Sequence, residues 1–135
     1  MTQIDLSDFH EPIPLGTEVP LPVYVSKEGT KPLVVLHELP GMTPKFIEYC
    51  RDMVREGFKI YMPLLFKSPG TEMAPGELVK FCVNREFRAL FWSDRATNAR
   101  PFTAWLWELL DHVSEAHPGE KIGTVGMCLT GGFAV

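Results

Sequence analysis

The chain has 135 residues, 45% apolar and 22% charged, with a formal net charge of −4. This length and balance suit a single globular domain over residues 1–135 and are unlike a disordered segment. The negative charge, with no basic stripe, argues against nucleic acid and anionic membranes as main partners, and no apolar run reaches the roughly 20 residues of a membrane helix.

In chain order, residues 1–18 are proline-rich and weakly patterned, and read as an N-terminal arm. Val19 to Val25 is strand-like, and Pro20 and Pro22 push it towards a sheet edge. Ser26-Lys27-Glu28-Gly29-Thr30-Lys31 has the chemistry of a turn. Leu33-Val34-Val35-Leu36 is a continuous apolar run, as in a central strand buried on both faces.

A helix is predicted from Thr43, with Thr43 as cap and Pro44 in the first position. Phe46, Ile47, Cys50, Met53 and Val54 fall on one face of it, and Gly57 ends it. Phe58 to Met62 is the next strand, stopped by Pro63. A Pro/Gly loop and a helix from about Glu77 to Trp92 follow. A second helix runs from Pro101 to about Ala116, with Phe102, Trp105, Leu106, Leu109, Leu110 and Val113 on its buried side. Ile122 to Val125 is a last short strand. Strands alternating with helices predict an α/β fold with a mostly parallel sheet flanked by helices.

The three cysteines, Cys50, Cys82 and Cys128, are too few and too irregular for a disulfide framework. With no basic n-region leading into an apolar stretch at the N-terminus, they point to a reducing cytoplasm. No Cys-x-x-Cys occurs, and His10, His37, His112 and His117 are scattered. His37-Glu38 lacks the second His of a zinc-protease helix, because Gly41 stands there. Neither a metal nor another cofactor is expected.

The segment Gly126-Met127-Cys128-Leu129-Thr130-Gly131-Gly132 follows that last strand and leads into an apolar stretch. A strand, a sharp glycine-flanked turn at a nucleophile and a helix are written this way, with Cys where Ser is commoner. Together with Leu36-His37-Glu38-Leu39-Pro40-Gly41, this segment resembles the dienelactone hydrolase family of α/β-hydrolases. The resemblance runs from Val19 to Val135 and corresponds to the N-terminal portion of a family domain, ending at the nucleophile elbow. Thr130 stands where the strict elbow pattern has Gly.

The resemblance implies a lactone or ester hydrolase with Cys128 as nucleophile and Glu38 as the partner that modulates its proton. At a helix N-terminus a thiolate is favoured by the dipole and by unpaired N–H groups. The backbone N–H groups of Leu39 and Leu129 are the expected oxyanion hole. Arg85 is the candidate to clamp a substrate carboxylate, against the plain alternative of a solvated helix face. Cys50 and Cys82 lie on apolar helical faces and read as core. Phe66, Phe81, Trp92 and Trp105 could line a pocket but read first as core.

In the family the triad Asp and His follow the nucleophile, and neither residue type occurs after Cys128 in this chain. The reading therefore expects a chain truncated before them and weakly active alone. The competing reading is a non-catalytic half-hydrolase acting as a binding or self-assembly module, whose exposed edge self-association would cover; under the hydrolase reading the possible partner is a missing C-terminal half. For the hydrolase reading the small-molecule substrate would be an ester or lactone.

Overall fold

The computed structural model describes residues 5–17, 20–37, 42–65 and 101–126. Within them five strands, β1 (Ile13–Leu15), β2 (Leu21–Val25), β3 (Lys31–Leu36), β4 (Phe58–Pro63) and β5 (Gly123–Gly126), form one sheet in the order β1-β2-β4-β3-β5. Two helices, α1 (Pro44–Arg55) and α2 (Pro101–Ala116), are described with it.

The alternation of β3 divides the core into two layers. Leu33 and Val35 pack with Phe46, Ile47 and Cys50 of α1. Val34 and Leu36 pack with Phe102, Trp105, Leu109 and Val113 of α2. β4 divides likewise, with Ile60 and Met62 on the α1 side and Tyr61 on the α2 side. The two helices therefore cover opposite faces of the sheet. Val34, Val35 and Leu36 are completely buried. At about 1.5–3 kcal/mol for each such side chain, this is what holds β3 in the centre.

The sheet is mixed among the described strands. β3 pairs in parallel with β4 and β5, whereas β1–β2 and β2–β4 are antiparallel. The parallel pairs belong to the strands linked through helices, as crossovers require. Both antiparallel pairs involve β2, which runs against its neighbours β1 and β4.

β2 is not the edge strand that its prolines suggested. β1 pairs outside it, in a segment expected to be an irregular arm. The prolines are accommodated by register. The Pro22 carbonyl accepts from the Leu64 N–H on the β4 side, at 2.8 Å. Pro22 and Pro14 therefore face each other at a position of the β1–β2 ladder that uses no hydrogen bonds. The nitrogen of Pro14 is left pointing to the outer edge, where a missing donor breaks no rung.

What secures β1 is α2. The Trp105 indole N–H donates to the Leu15 carbonyl at 2.6 Å. The Thr17 backbone N–H and hydroxyl both donate to the Glu108 carboxylate, at 3.0 and 2.9 Å. Trp105 itself stacks on Phe102, with ring centroids 5.4 Å apart. It is a core residue, 2% exposed.

At the turn into β3, the buried Ser26 hydroxyl donates to the Glu28 carbonyl and accepts from the Ile60 N–H, at 2.8 and 2.9 Å. α1 begins as its sequence predicts. Thr43 is the N-cap and its hydroxyl accepts from the Phe46 N–H at 3.2 Å, with Pro44 in the first turn. Thr43→Ala is expected to cost about 1 kcal/mol, seen as a lower urea midpoint with unchanged slope.

Candidate active site

The geometry that matters lies at the carboxyl ends of β3 and β5. β4 follows β3 and pairs on one side of it, while β5 pairs on the other. The direction of winding thus reverses about β3. Ligands of open α/β sheets bind in the crevice beyond the strand ends at such a reversal.

The β3–β5 register runs from Leu33 opposite Gly123 to Leu36 opposite Gly126, so the two strands finish level. A Cβ on Gly123 would lie 2.8 Å from a terminal methyl of Leu33. The absence of a side chain there lets Leu33 keep its place as β5 approaches.

The predicted site residues Glu38, Leu39, Arg85, Cys128 and Leu129 all lie outside the described residues, as does the predicted helix from Glu77 to Trp92. Phe66, Phe81, Cys82 and Trp92 lie outside them too. What the structure brings together is the platform leading to two of them. Glu38 is two residues beyond Leu36 in sequence, and Cys128 is two residues beyond Gly126.

His37 is the described residue nearest that crevice. It is fully buried at the end of β3. Its Nε2 accepts from the Leu65 backbone N–H at 2.9 Å. Its ring meets Phe46 edge to face, with centroids 5.8 Å apart and planes at 77°. The sequence reads His37 first as structural and otherwise as a substitute base. The signal for more was its place at the end of a wholly apolar run, where a buried polar ring must find a partner.

The other histidines serve elsewhere. His117 Nε2 is 2.8 Å from the Tyr61 hydroxyl, and its Nδ1 is 3.0 Å from a Glu120 carboxylate oxygen. This chain sits on the approach to the amino end of β5, away from Gly126. His112 lies within α2, and the His10 backbone N–H donates to the Val25 carbonyl at 2.8 Å. No cluster of potential metal ligands occurs among the described residues.

Cys50 is a free, fully buried core thiol. Burial pushes its pKa up from 9.0 to about 12. The thiolate is the reactive form, so Cys50 should resist alkylation at neutral pH until the chain is unfolded. Unfolding frees the thiol to ionise at 9.0. Above that pH the unfolded state holds fewer protons than the native one, and this group's contribution to stability falls as pH rises from 9.0 towards 12. A series of denaturant melts at alkaline pH, compared with Cys50→Ala, reads this contribution.

The fold is α/β, and its crevice lies where the enzymes of that class carry their chemistry. The profile of the Dienelactone hydrolase family matches residues 22–135, and the chain belongs to that family. A similar solved structure is the crystal structure of a Klebsiella pneumoniae subsp. pneumoniae protein assigned as a dienelactone hydrolase. It is 20% identical, with a TM-score of 0.50 over 90% of this chain and 49% of that one. The chain thus spans about half the length of that neighbour, and the likeness is one of fold. No curated protein matches the sequence significantly.

Proposed function

We propose that the protein is a hydrolase of small esters or lactones that works through a Cys128 acyl-enzyme. The observation that carries this reading is the level ending of β3 and β5 at Leu36 and Gly126. Equal offsets beyond those paired residues lead to Glu38 and Cys128, in a chain whose family match extends through both.

In this reading the Cys128 thiolate attacks the substrate carbonyl, and the backbone N–H groups of Leu39 and Leu129 hold the resulting oxyanion. The C–O bond breaks as the thioester forms, and the alkoxide oxygen, which stays tethered to the acyl group in a lactone, takes up the proton given by the thiol. Water then cleaves the thioester, releasing the carboxylic acid and restoring the thiol. Glu38 takes or returns the thiol proton. Arg85 offers a bidentate clamp to a substrate that carries a carboxylate.

No Asp or His follows Cys128 within these residues. The chain alone is therefore expected to acylate and then deacylate slowly, because no triad His manages the second proton transfer. The cysteine content, with Cys50 a free thiol, suits a cytoplasmic setting. No helix among the described residues is long and apolar enough to cross a membrane.

The test is intact-mass measurement after mixing with a small activated ester. An acyl adduct that peptide mapping places on Cys128 supports the reading. A chain that stays unmodified, or is modified elsewhere, overturns it.

A further inference from the structure

Residues 5–17 run along the edge of the sheet and are fastened to both helices by different chemistry. Phe9 lies opposite Ser26 and Ile13 opposite Val23, both in antiparallel sense. Four steps along the outer segment thus match three along its partner, so one extra residue bulges between Phe9 and Ile13. A slip of one residue exchanges the faces of a strand. Without the bulge, Phe9 and Leu15 would point to the same side of the sheet, being an even number of residues apart. Instead Phe9 is buried in the layer under α1, with Leu6 packed against that layer, while Leu15 packs in the layer under α2.

The half after the bulge is stitched to α2 through Trp105 and Glu108. The half before it is gripped by Arg51 of α1. The Arg51 Nε and Nη2 donate to the two carboxylate oxygens of Asp8, at 3.0 and 3.1 Å. Nη1 donates to Glu48 at 2.7 Å, and Nη2 also donates to the Asp5 carbonyl. The Asp8 side chain is 49% exposed and that of Arg51 19%, so salt reaches the pair. Two backbone bonds complete the fastening: the His10 N–H donates to the Val25 carbonyl at 2.8 Å, and the Lys27 N–H to the Asp8 carbonyl at 3.0 Å.

We propose that residues 5–10 form a salt-sensitive strap, which unfastens from α1 as one unit about the bulge while residues 13–17 stay fixed to α2. The strap makes few contacts and its clamp is half in water, so lifting it disturbs less than unfolding the sheet does. Arg51 also keeps two carboxylates compatible, since Asp8 and Glu48 bind the same guanidinium. Removing its charge loses an attraction and leaves those carboxylates to repel each other, which pushes the strap outward.

The experiment is amide hydrogen exchange on the whole chain, read residue by residue by NMR and expressed as protection relative to the unfolded amide. The His10 and Lys27 amides report the strap, the Thr17 amide the half held by α2, and Val34 and Val35 the sheet. His10 and Lys27 should be protected at least about tenfold less than Val34 and Val35. Arg51→Gln should lower their protection by about a further tenfold and change that of Thr17, Val34 and Val35 much less. Raising salt to about 1 M should lower the protection of His10 and Lys27 roughly threefold in the unsubstituted chain, and not in Arg51→Gln. Asp8→Asn, at the surface, should act as Arg51→Gln does but more weakly, and carries the same comparison if Arg51→Gln does not fold.

Equal protection of His10, Lys27, Val34 and Val35 overturns the proposal, because the strap would then open only with the whole molecule. So does a substitution that lowers all of these amides alike, or a salt effect that persists undiminished in Arg51→Gln. Loss of Thr17 protection in step with His10 overturns it too, since the entire segment would then lift with no hinge at the bulge.

Discussion

Cys128→Ala is expected to abolish acylation by an activated ester, with neither a burst of leaving group nor a mass adduct. Cys128→Ser should leave a rate lower by orders of magnitude. A hydroxyl is far less ionised than a thiol at neutral pH, and the residues after it supply no His to take its proton. In the unsubstituted chain the burst should be followed by slow turnover, since forming the thioester needs the thiolate and oxyanion donors while cleaving it needs proton transfer. Losing a triad member costs orders of magnitude but leaves a residue of catalysis from oxyanion stabilisation and binding. A burst that persists in Cys128→Ala would assign the nucleophile elsewhere. Fast steady turnover by the unsubstituted chain would show that some other group performs the missing proton transfer.

Gly29→Ala is expected to be the more damaging of two superficially equal substitutions in turns. Gly29 and Gly57 both have φ of +100°, which disfavours any side chain. Around Gly57 a new Cβ would meet nothing within 4 Å. At Gly29 it would fall 2.0 Å from the Phe58 carbonyl oxygen and 2.7 Å from the Lys59 nitrogen, both backbone atoms at the start of β4. The turn is held there by the Thr30 N–H, which donates to the Gly57 carbonyl at 2.9 Å. Relief of the clash must therefore move either this anchor or the first residues of β4. Gly57→Ala should cost about 1–2 kcal/mol, whereas Gly29→Ala should cost about 3–5 kcal/mol, a large part of the stability of a small domain. Paired urea melts measure the difference, and equal midpoints would refute it.

Much of the fold is legible in local pattern. The run Leu33 to Leu36 announces a strand buried on both faces because every side chain in it is apolar, and β3 is flanked by two strands and covered on both sides. Thr43-Pro44 and Pro101 mark the starts of α1 and α2 because capping and N-terminal proline chemistry are written in adjacent residues. β5 is shifted one residue from its apolar run, to Gly123–Gly126, since glycines carry no hydropathy and still make ladder bonds. β1 could not be read in this way. Ile13-Pro14-Leu15 is short and proline-interrupted, and what fixes it is the Trp105 indole, 90 residues away. The internal place of β2 follows from β1 and was hidden with it. For the site, the pattern supplies residue types and order, and the described structure adds that β3 and β5 end level. His37 shows the limit of reading one position at a time, because its hydrogen-bond partner is a backbone amide 28 residues on and carries no side-chain signature.

The level ending of β3 and β5 also bears on how the molecule is made. Leu36 and Gly126 are about ninety residues apart along the chain, and closing so large a loop costs entropy that local pairs such as β1–β2 do not incur. Of the pairings described, β3–β5 joins the strands most distant in sequence, so it is expected to form late. On a ribosome, β3 would emerge and pair with β4 well before β5 was synthesised. The edge of β3 that later receives β5 would meanwhile be open to other strands, including those of neighbouring nascent chains. Slow or crowded synthesis would lengthen the time that edge stays open, and so raise the share of misassembled chains.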